Sequence, residues 1–209
     1  MNQLHWEAVE PEAREAFAIV SRALAGGDYY LAGGTALALM EGHRVSVDLD
    51  IFTEGIQDSE EVLGLLRGQV PKLSVRSVGA GTLYAEVLGV QVSVIEYGYR
   101  LLGPTVSANS NHLALAGRDD IAAMKLSAIA SRGSRKDFVD LWVLVTRHRS
   151  LAEYLALYRQ KFEERDVGHV VRSLVHFDDA EREAPLRLLI DIDWDELKTD
   201  FQRRVADLW

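Results

Sequence analysis

The chain has 209 residues, 48% of them apolar, no cysteine and a formal charge of −9. This is length for one domain, or a small core with an appended module, and enough apolar residues for a sizeable core. The composition excludes disulfides, a thiolate zinc site and a cysteine nucleophile, and the acidic balance argues against broad, sequence-independent nucleic-acid binding, which rests on basic surface.

No run of 18 apolar residues occurs, so no membrane-spanning helix and no membrane partner is expected. The first residues, Met1 to Glu7, lack the basic and then apolar segments of a signal peptide. Cytoplasm is the expected compartment.

In chain order, residues 9–25 place Ala13, Ala16, Phe17, Val20 and Leu24 at helical spacing, and Gly26-Gly27 is a natural stop. Tyr29 to Ala32 reads as a short strand entering Gly33-Gly34, with a helix over Thr35 to Met40 behind it. Arg44 to Phe52 reads as the next strand. Asp58 or Ser59 caps a helix to about Gly68, which Pro71 ends. Leu73–Val78, Thr82–Leu88 and Val90–Tyr97 are β-rich runs separated by glycines, the pattern of a meander. The expected fold is therefore α/β (α+β), a mixed sheet of about four or five strands flanked by helices.

Pro104 to Asn111 is a polar connection and the expected boundary between a core (1–110) and a C-terminal helical module (111–209). Helices are expected from Asp119 or Asp120 through Ser131, over Arg135–Thr146, Ala152–Glu163 and 166–176, and over Asp195–Leu208 beyond Pro185. Asp191-Ile-Asp193 reads as helix capping. Trp142, Trp194 and Trp209 read as core anchors of the module.

The stretch 31–52 carries the strongest chemical signal. Gly33, Gly34 and Thr35 place backbone N–H groups at a helix N-terminus, where phosphate is favoured. Side chains at i and i+2 of a strand share a face, so Asp48 and Asp50 project together while Val47, Leu49 and Ile51 project oppositely into a core. Two carboxylates on one face suit a hard cation, Mg2+ or Mn2+, and two such ions about 3.5–4 Å apart would stabilise the attacking and leaving oxygens, although alternating acids are also ordinary on a solvated strand face. Arg44 and Ser46 share the Asp48 face by parity. Ser46 can hydrogen-bond a phosphate oxygen and Arg44 can pair with one bidentately, while the plain reading of Arg44 is an exposed strand-entry charge.

The second signal lies at 117–149, where seven Lys or Arg stand against four Asp in an otherwise acidic chain. Lys125 interrupts an apolar run of Ile121, Ala122, Met124, Leu126, Ala128 and Ile129, either snorkelling or pointing into a cleft. Arg132 follows two helical turns later on the same face, and two cations on one line match a polyphosphate chain. Asp137 and Asp140 are i, i+3 neighbours, and their plain reading is salt bridging to Arg135, Lys136 or Lys125.

Taken together, Gly33-Gly34-Thr35-Ala36-Leu37, then His43-Arg44-x-Ser46-x-Asp48-Leu49-Asp50, then Lys125, Arg132 and Arg135-Lys136-Asp137-x-x-Asp140-Leu141 resemble the nucleotidyltransferase superfamily and, more narrowly, the abortive-infection AbiEii/AbiGii toxin family. The resemblance implies a nucleotidyltransferase fold whose helical module completes the active site. The activity it implies is metal-dependent transfer of a nucleoside monophosphate from NTP to an acceptor hydroxyl, with release of pyrophosphate. The implied setting is a type IV toxin–antitoxin or phage-defence system with a cognate antitoxin, and the implied acceptor is RNA such as a tRNA 3′ end. It assigns Asp48, Asp50, Lys125 and Asp137 to catalysis, with Asp48 and Asp50 as metal ligands. It assigns Gly33, Gly34, Thr35, Arg44, Ser46, Lys125 and Arg132 to the nucleotide. One departure is Ser93, which stands in the strand Val90–Tyr97 where many superfamily members carry a third carboxylate; Glu86 and Glu96 are nearby substitutes, but neither sits in the expected pattern. Two alternatives are a protein-nucleotidylylating enzyme and an inactive nucleotide-binding partner protein.

Overall fold

The computed structural model describes residues 4–55, 58–70, 73–108 and 112–209. Expectations that fall on Pro71 and on residues 109–111 lie outside these. The chain divides into two units: residues 1–100 with 104–116, and residues 101–103 with 117–209.

The first unit is built on a mixed sheet. Its elements are α1 (Pro11–Ala23), β1 (Tyr29–Leu31), α2 (Gly33–Glu41), β2 (Leu49–Thr53), α3 (Ser59–Gln69), β3 (Ser74–Gly79), β4 (Thr82–Val87), β5 (Val90–Glu96) and β6 (Ala114–Leu115). Six strands among the described residues run in the order β3-β4-β5-β2-β1-β6, one or two more than expected. The addition is β6, two residues long, which pairs parallel to β1. β2 and β5 are also parallel, whereas β1–β2, β3–β4 and β4–β5 are antiparallel.

Strand alternation separates the two faces of the sheet. Leu49 and Ile51 of β2, Leu83, Ala85 and Val87 of β4, and Val92 and Val94 of β5 are buried. α1 and α3 pack against each other, α1 on β5 and α3 on β4. The other face carries Asp50 and Phe52, Ser93 and Ile95, and Tyr84 and Glu86, as the registers Asp50↔Ser93, Tyr84↔Ser93 and Glu86↔Gln91 require. α3 starts at Asp58, whose carboxylate accepts from the N–H groups of Glu60 and Glu61, the capping expected there.

The strand expected over Arg44–Phe52 is shorter in the structure. β2 begins at Leu49, so the alternation does not extend back to residue 47, and Val47 is 53% exposed instead of entering the core.

The second unit is helical: α4 (Arg118–Arg132), α5 (Arg135–Arg147), α6 (Leu151–Phe162), α7 (Gly168–Ser173), α8 (Asp178–Glu181) and α9 (Trp194–Ala206). α4 is central, packed by α5, α6 and α7, while α5 also meets α8 and α9. α6 opens with a capping box between Ser150 and Glu153, and Asp193 caps α9. Phe138, Phe177, Trp194 and Phe201 form an aromatic cluster with ring centroids 4.9–6.2 Å apart. Trp142 and Trp194 are half-buried, each with its indole N–H on a carboxylate, but Trp209 is 96% exposed and anchors nothing.

Candidate active site

In the first unit the groups singled out along residues 33–50 come together around the start of α2. Gly33 has φ +65°, a left-handed conformation that glycine adopts without strain. A side chain there would stand 3.0 Å from Asp50 Oδ2, and one at Gly34 would overlap the Arg44 guanidinium. The two glycines thus leave room for the carboxylate and the guanidinium to lie against the backbone. Ala32 at the N-cap offers no side-chain acceptor, so the first amides of α2 are not capped by it.

Thr35 Oγ1 donates to the Asp48 carbonyl and lies 2.8 Å from Ser46 Oγ. Both hydroxyls are buried and tie the chain entering β2 to the first turn of α2. They fix the Asp48 backbone, a positioning role that spacing alone did not suggest. Arg44 is only 4% exposed, which corrects the reading of it as an exposed strand-entry charge. Its Nη1 donates to the Val45 carbonyl at 3.1 Å.

Asp48 and Asp50 are half-buried. Among the described residues neither is bridged by a lysine, arginine or histidine. Asp50 Oδ1 accepts from Ser93 Oγ at 2.6 Å across the β2–β5 pair. Two half-buried carboxylates with no basic partner fit a divalent cation. No cluster of three acidic or histidine side chains able to hold a metal occurs among the described residues, so the remaining ligands would be water and phosphate oxygens, as Mg2+ commonly takes them.

In the second unit α4 and α5 present a separate constellation. Gly133, left-handed at φ 56°, caps α4 through bonds to the carbonyls of Ala128 and Ile129 and turns the chain into α5. This brings Lys125 Nζ to 2.8 Å from Asp137 Oδ1 and 2.6 Å from Asp140 Oδ2, with all three side chains buried. Arg132 adds a two-pronged contact to Asp137, Nε to Oδ2 at 2.8 Å and Nη2 to Oδ1 at 3.2 Å, while its own side chain is 58% exposed. Burial by itself would raise the Asp137 carboxyl, but the Lys125 ammonium and the Arg132 guanidinium outweigh it and hold the group below the ordinary carboxylate range.

Two features of this unit escaped sequence reasoning. Asp120 does not cap α4. It is buried, accepts from Lys161 Nζ at 2.7 Å, and receives the Leu102 N–H at 2.9 Å. Glu183 Oε2 accepts from Ser134 Oγ and from the Arg135 N–H, each at 3.0 Å, and so places a carboxylate at the N-terminus of α5. Neither partner is near in sequence, and no local signal marks Lys161 or Glu183.

The structure therefore groups Gly33, Gly34, Thr35, Arg44, Ser46, Asp48 and Asp50 in the first unit, and Lys125, Arg132, Asp137 and Asp140 in the second.

The chain is similar to several known proteins. A protein of Aquifex aeolicus, aq_aa25, described as uncharacterized, is 40% identical over 207 residues, covering 95% of this chain and 97% of its own length. JHP933 from Helicobacter pylori superposes with a TM-score of 0.57 at 18% identity, covering 98% of this chain and 93% of that one. MenT4, the nucleotidyltransferase toxin Rv2826c from Mycobacterium tuberculosis, also gives 0.57 at 18% identity, covering 95% and 85%. At such identities the structural likeness speaks to the fold alone. The family model described as Nucleotidyl transferase AbiEii toxin, Type IV TA system, matches residues 16–208. The chain belongs to the AbiEii nucleotidyltransferase toxin family of type IV toxin–antitoxin systems.

Proposed function

We propose that this nucleotidyltransferase moves a nucleoside monophosphate from NTP to the hydroxyl of an RNA acceptor, such as a tRNA 3′ end, with Mg2+ or Mn2+ held by Asp48 and Asp50. The observation that carries the reading is the half-buried Asp48/Asp50 pair without a basic partner, set beside the uncapped amides of α2. A bound cation supplies charge stabilisation to phosphate oxygens and lowers the barrier to displacement at phosphorus. The acceptor oxygen bonds to the α-phosphorus, the bond to the bridging oxygen breaks, and pyrophosphate leaves with that electron pair while the hydroxyl proton passes to solvent or a nearby base.

Within this scheme the first amides of α2 and Arg44 bind phosphate oxygens, and Thr35 and Ser46 keep Asp48 in place. In the second unit Lys125 holds Asp137 and Asp140 in fixed positions, and Arg132 is the exposed cation of that constellation. No described helix is long and apolar enough to cross a membrane. Family membership supports a cognate antitoxin as partner and the cytoplasm, in toxin–antitoxin or phage-defence biology, as the setting.

The test is incubation of the protein with α-labelled NTPs, Mg2+, total RNA and a protein lysate. Label in RNA is the expected result. Label in protein would replace RNA by a protein acceptor, and label in neither would leave a nucleotide-binding partner protein.

A further inference from the structure

The row of side chains beside Asp50 is short of charge. Ser93 is its register partner across the parallel β2–β5 pair, and Tyr84 is the partner of Ser93 across β4–β5, so the open face reads Tyr84, Ser93, Asp50. Ser93 is 6% exposed, and its hydroxyl donates to Asp50 Oδ1 at 2.6 Å, the length of a charge-assisted bond. Asp50 Oδ2 lies on the other side, against Gly33. Asp50 is the one carboxylate in that row.

The charge balance follows directly. One divalent ion against Asp48 and Asp50 is neutralised, and one or two carboxylates plus phosphate oxygens make an ordinary Mg2+ shell. A second divalent ion about 3.5–4 Å from the first adds strong repulsion and needs further anionic ligands. The position from which a third carboxylate would reach it is filled by a neutral hydroxyl whose single proton is committed to Asp50. Among the described residues no third acid or histidine joins the pair.

Resting on the nucleotide-transfer reading above, we propose that Ser93 limits the sheet to one divalent cation per chain and acts as the positioning residue for Asp50. Its hydrogen bond fixes the carboxylate orientation in the way that outer-shell partners orient metal ligands.

Mn2+ electron paramagnetic resonance, with non-hydrolysable analogues of the four NTPs, reads the cation count directly. Two Mn2+ ions at the spacing above are spin-coupled, whereas a single ion is not. The wild-type protein is expected to show an isolated, protein-bound Mn2+ signal. Ser93→Asp should convert it to a coupled pair. Ser93→Ala should keep the isolated signal with Mn2+ affinity weakened about ten- to a hundredfold. A coupled pair in the wild type, or unchanged affinity in Ser93→Ala, overturns the proposal, as does an isolated signal from a cooperatively melting Ser93→Asp. If Ser93→Asp does not fold, the other two proteins still decide. Absence of any protein-bound Mn2+ in the wild type overturns the metal-dependent reading itself, a result distinct from a coupled pair.

Discussion

At the scale of single residues, what spacing could reveal was what depends on local chain geometry. Gly33-Gly34 open α2 and Asp48-x-Asp50 follows it, and their membership of one neighbourhood was legible without knowing the sheet. Parity failed at Val47, because the paired strand begins only at Leu49 and Val47 is left exposed before it. The bond from Ser93 to Asp50 was illegible for a different reason, since 43 residues separate the partners and register is a property of the assembled sheet. Two predictions belong here. Gly33→Ala should destabilise by about 1–3 kcal/mol, because it places a Cβ on a left-handed residue 3.0 Å from Asp50 Oδ2, and thermal melting checks it. Asp50→Asn should keep or raise the melting temperature in chelator, since it relieves repulsion with Asp48. The same variant should lose the stabilisation that Mn2+ with an NTP analogue gives the wild type.

At the scale of elements, the α4–α5 turn resolves the alternatives left open by the sequence. Lys125 does not snorkel; it is buried and clamped by two buried carboxylates from the next helix. Both the i, i+3 spacing of Asp137 and Asp140 and the two-turn spacing of Lys125 and Arg132 were visible, but the angle at which Gly133 sends α5 back was not. Lys125→Met removes the ammonium from both buried acids and should destabilise by about 3–5 kcal/mol at pH 7. For a chain of this length that is a fall in melting temperature of roughly 6–20 °C. The pH dependence has a definite sign. Asp137 has a depressed pKa in the folded protein, so its contribution is present above the ordinary carboxylate value and is lost as pH falls through the folded value. In Lys125→Met burial works against a weaker cationic field, the carboxyl protonates more readily, and the gap to wild type should narrow as pH falls from 7 towards 4. A gap that widens on acidification contradicts the clamp.

The Lys161–Asp120 pair between α6 and α4 is tested in the same way. Asp120→Asn should destabilise by about 3–5 kcal/mol by leaving the Lys161 ammonium buried without its carboxylate, whereas Asp120→Asn with Lys161→Met should recover part of that loss. Chemical denaturation of the three proteins at pH 7 measures the difference.

At the scale of the whole molecule, fold class and the change from a sheet to a run of helices were legible because the β-rich runs end by Tyr97, whereas helical patterning continues to the last helix. The sixth strand was not, because Ala114–Leu115 is too short for any pattern and exists only through its pairing with β1. The exposed Trp209 shows the same limit from the other side, since an aromatic residue has no partner until a neighbouring element supplies one. Family membership supplies the reaction class, and we assign its chemistry to the two carboxylates. The central claim is that Asp48 and Asp50 drive nucleotidyl transfer, and pyrophosphate release measured alongside incorporation of labelled NMP tests it most directly. The wild type should release one pyrophosphate per NMP transferred, and Asp48→Asn and Asp50→Asn should each lose at least about a hundredfold in rate while melting as the wild type does in chelator. Undiminished pyrophosphate release in either well-folded variant would contradict the account.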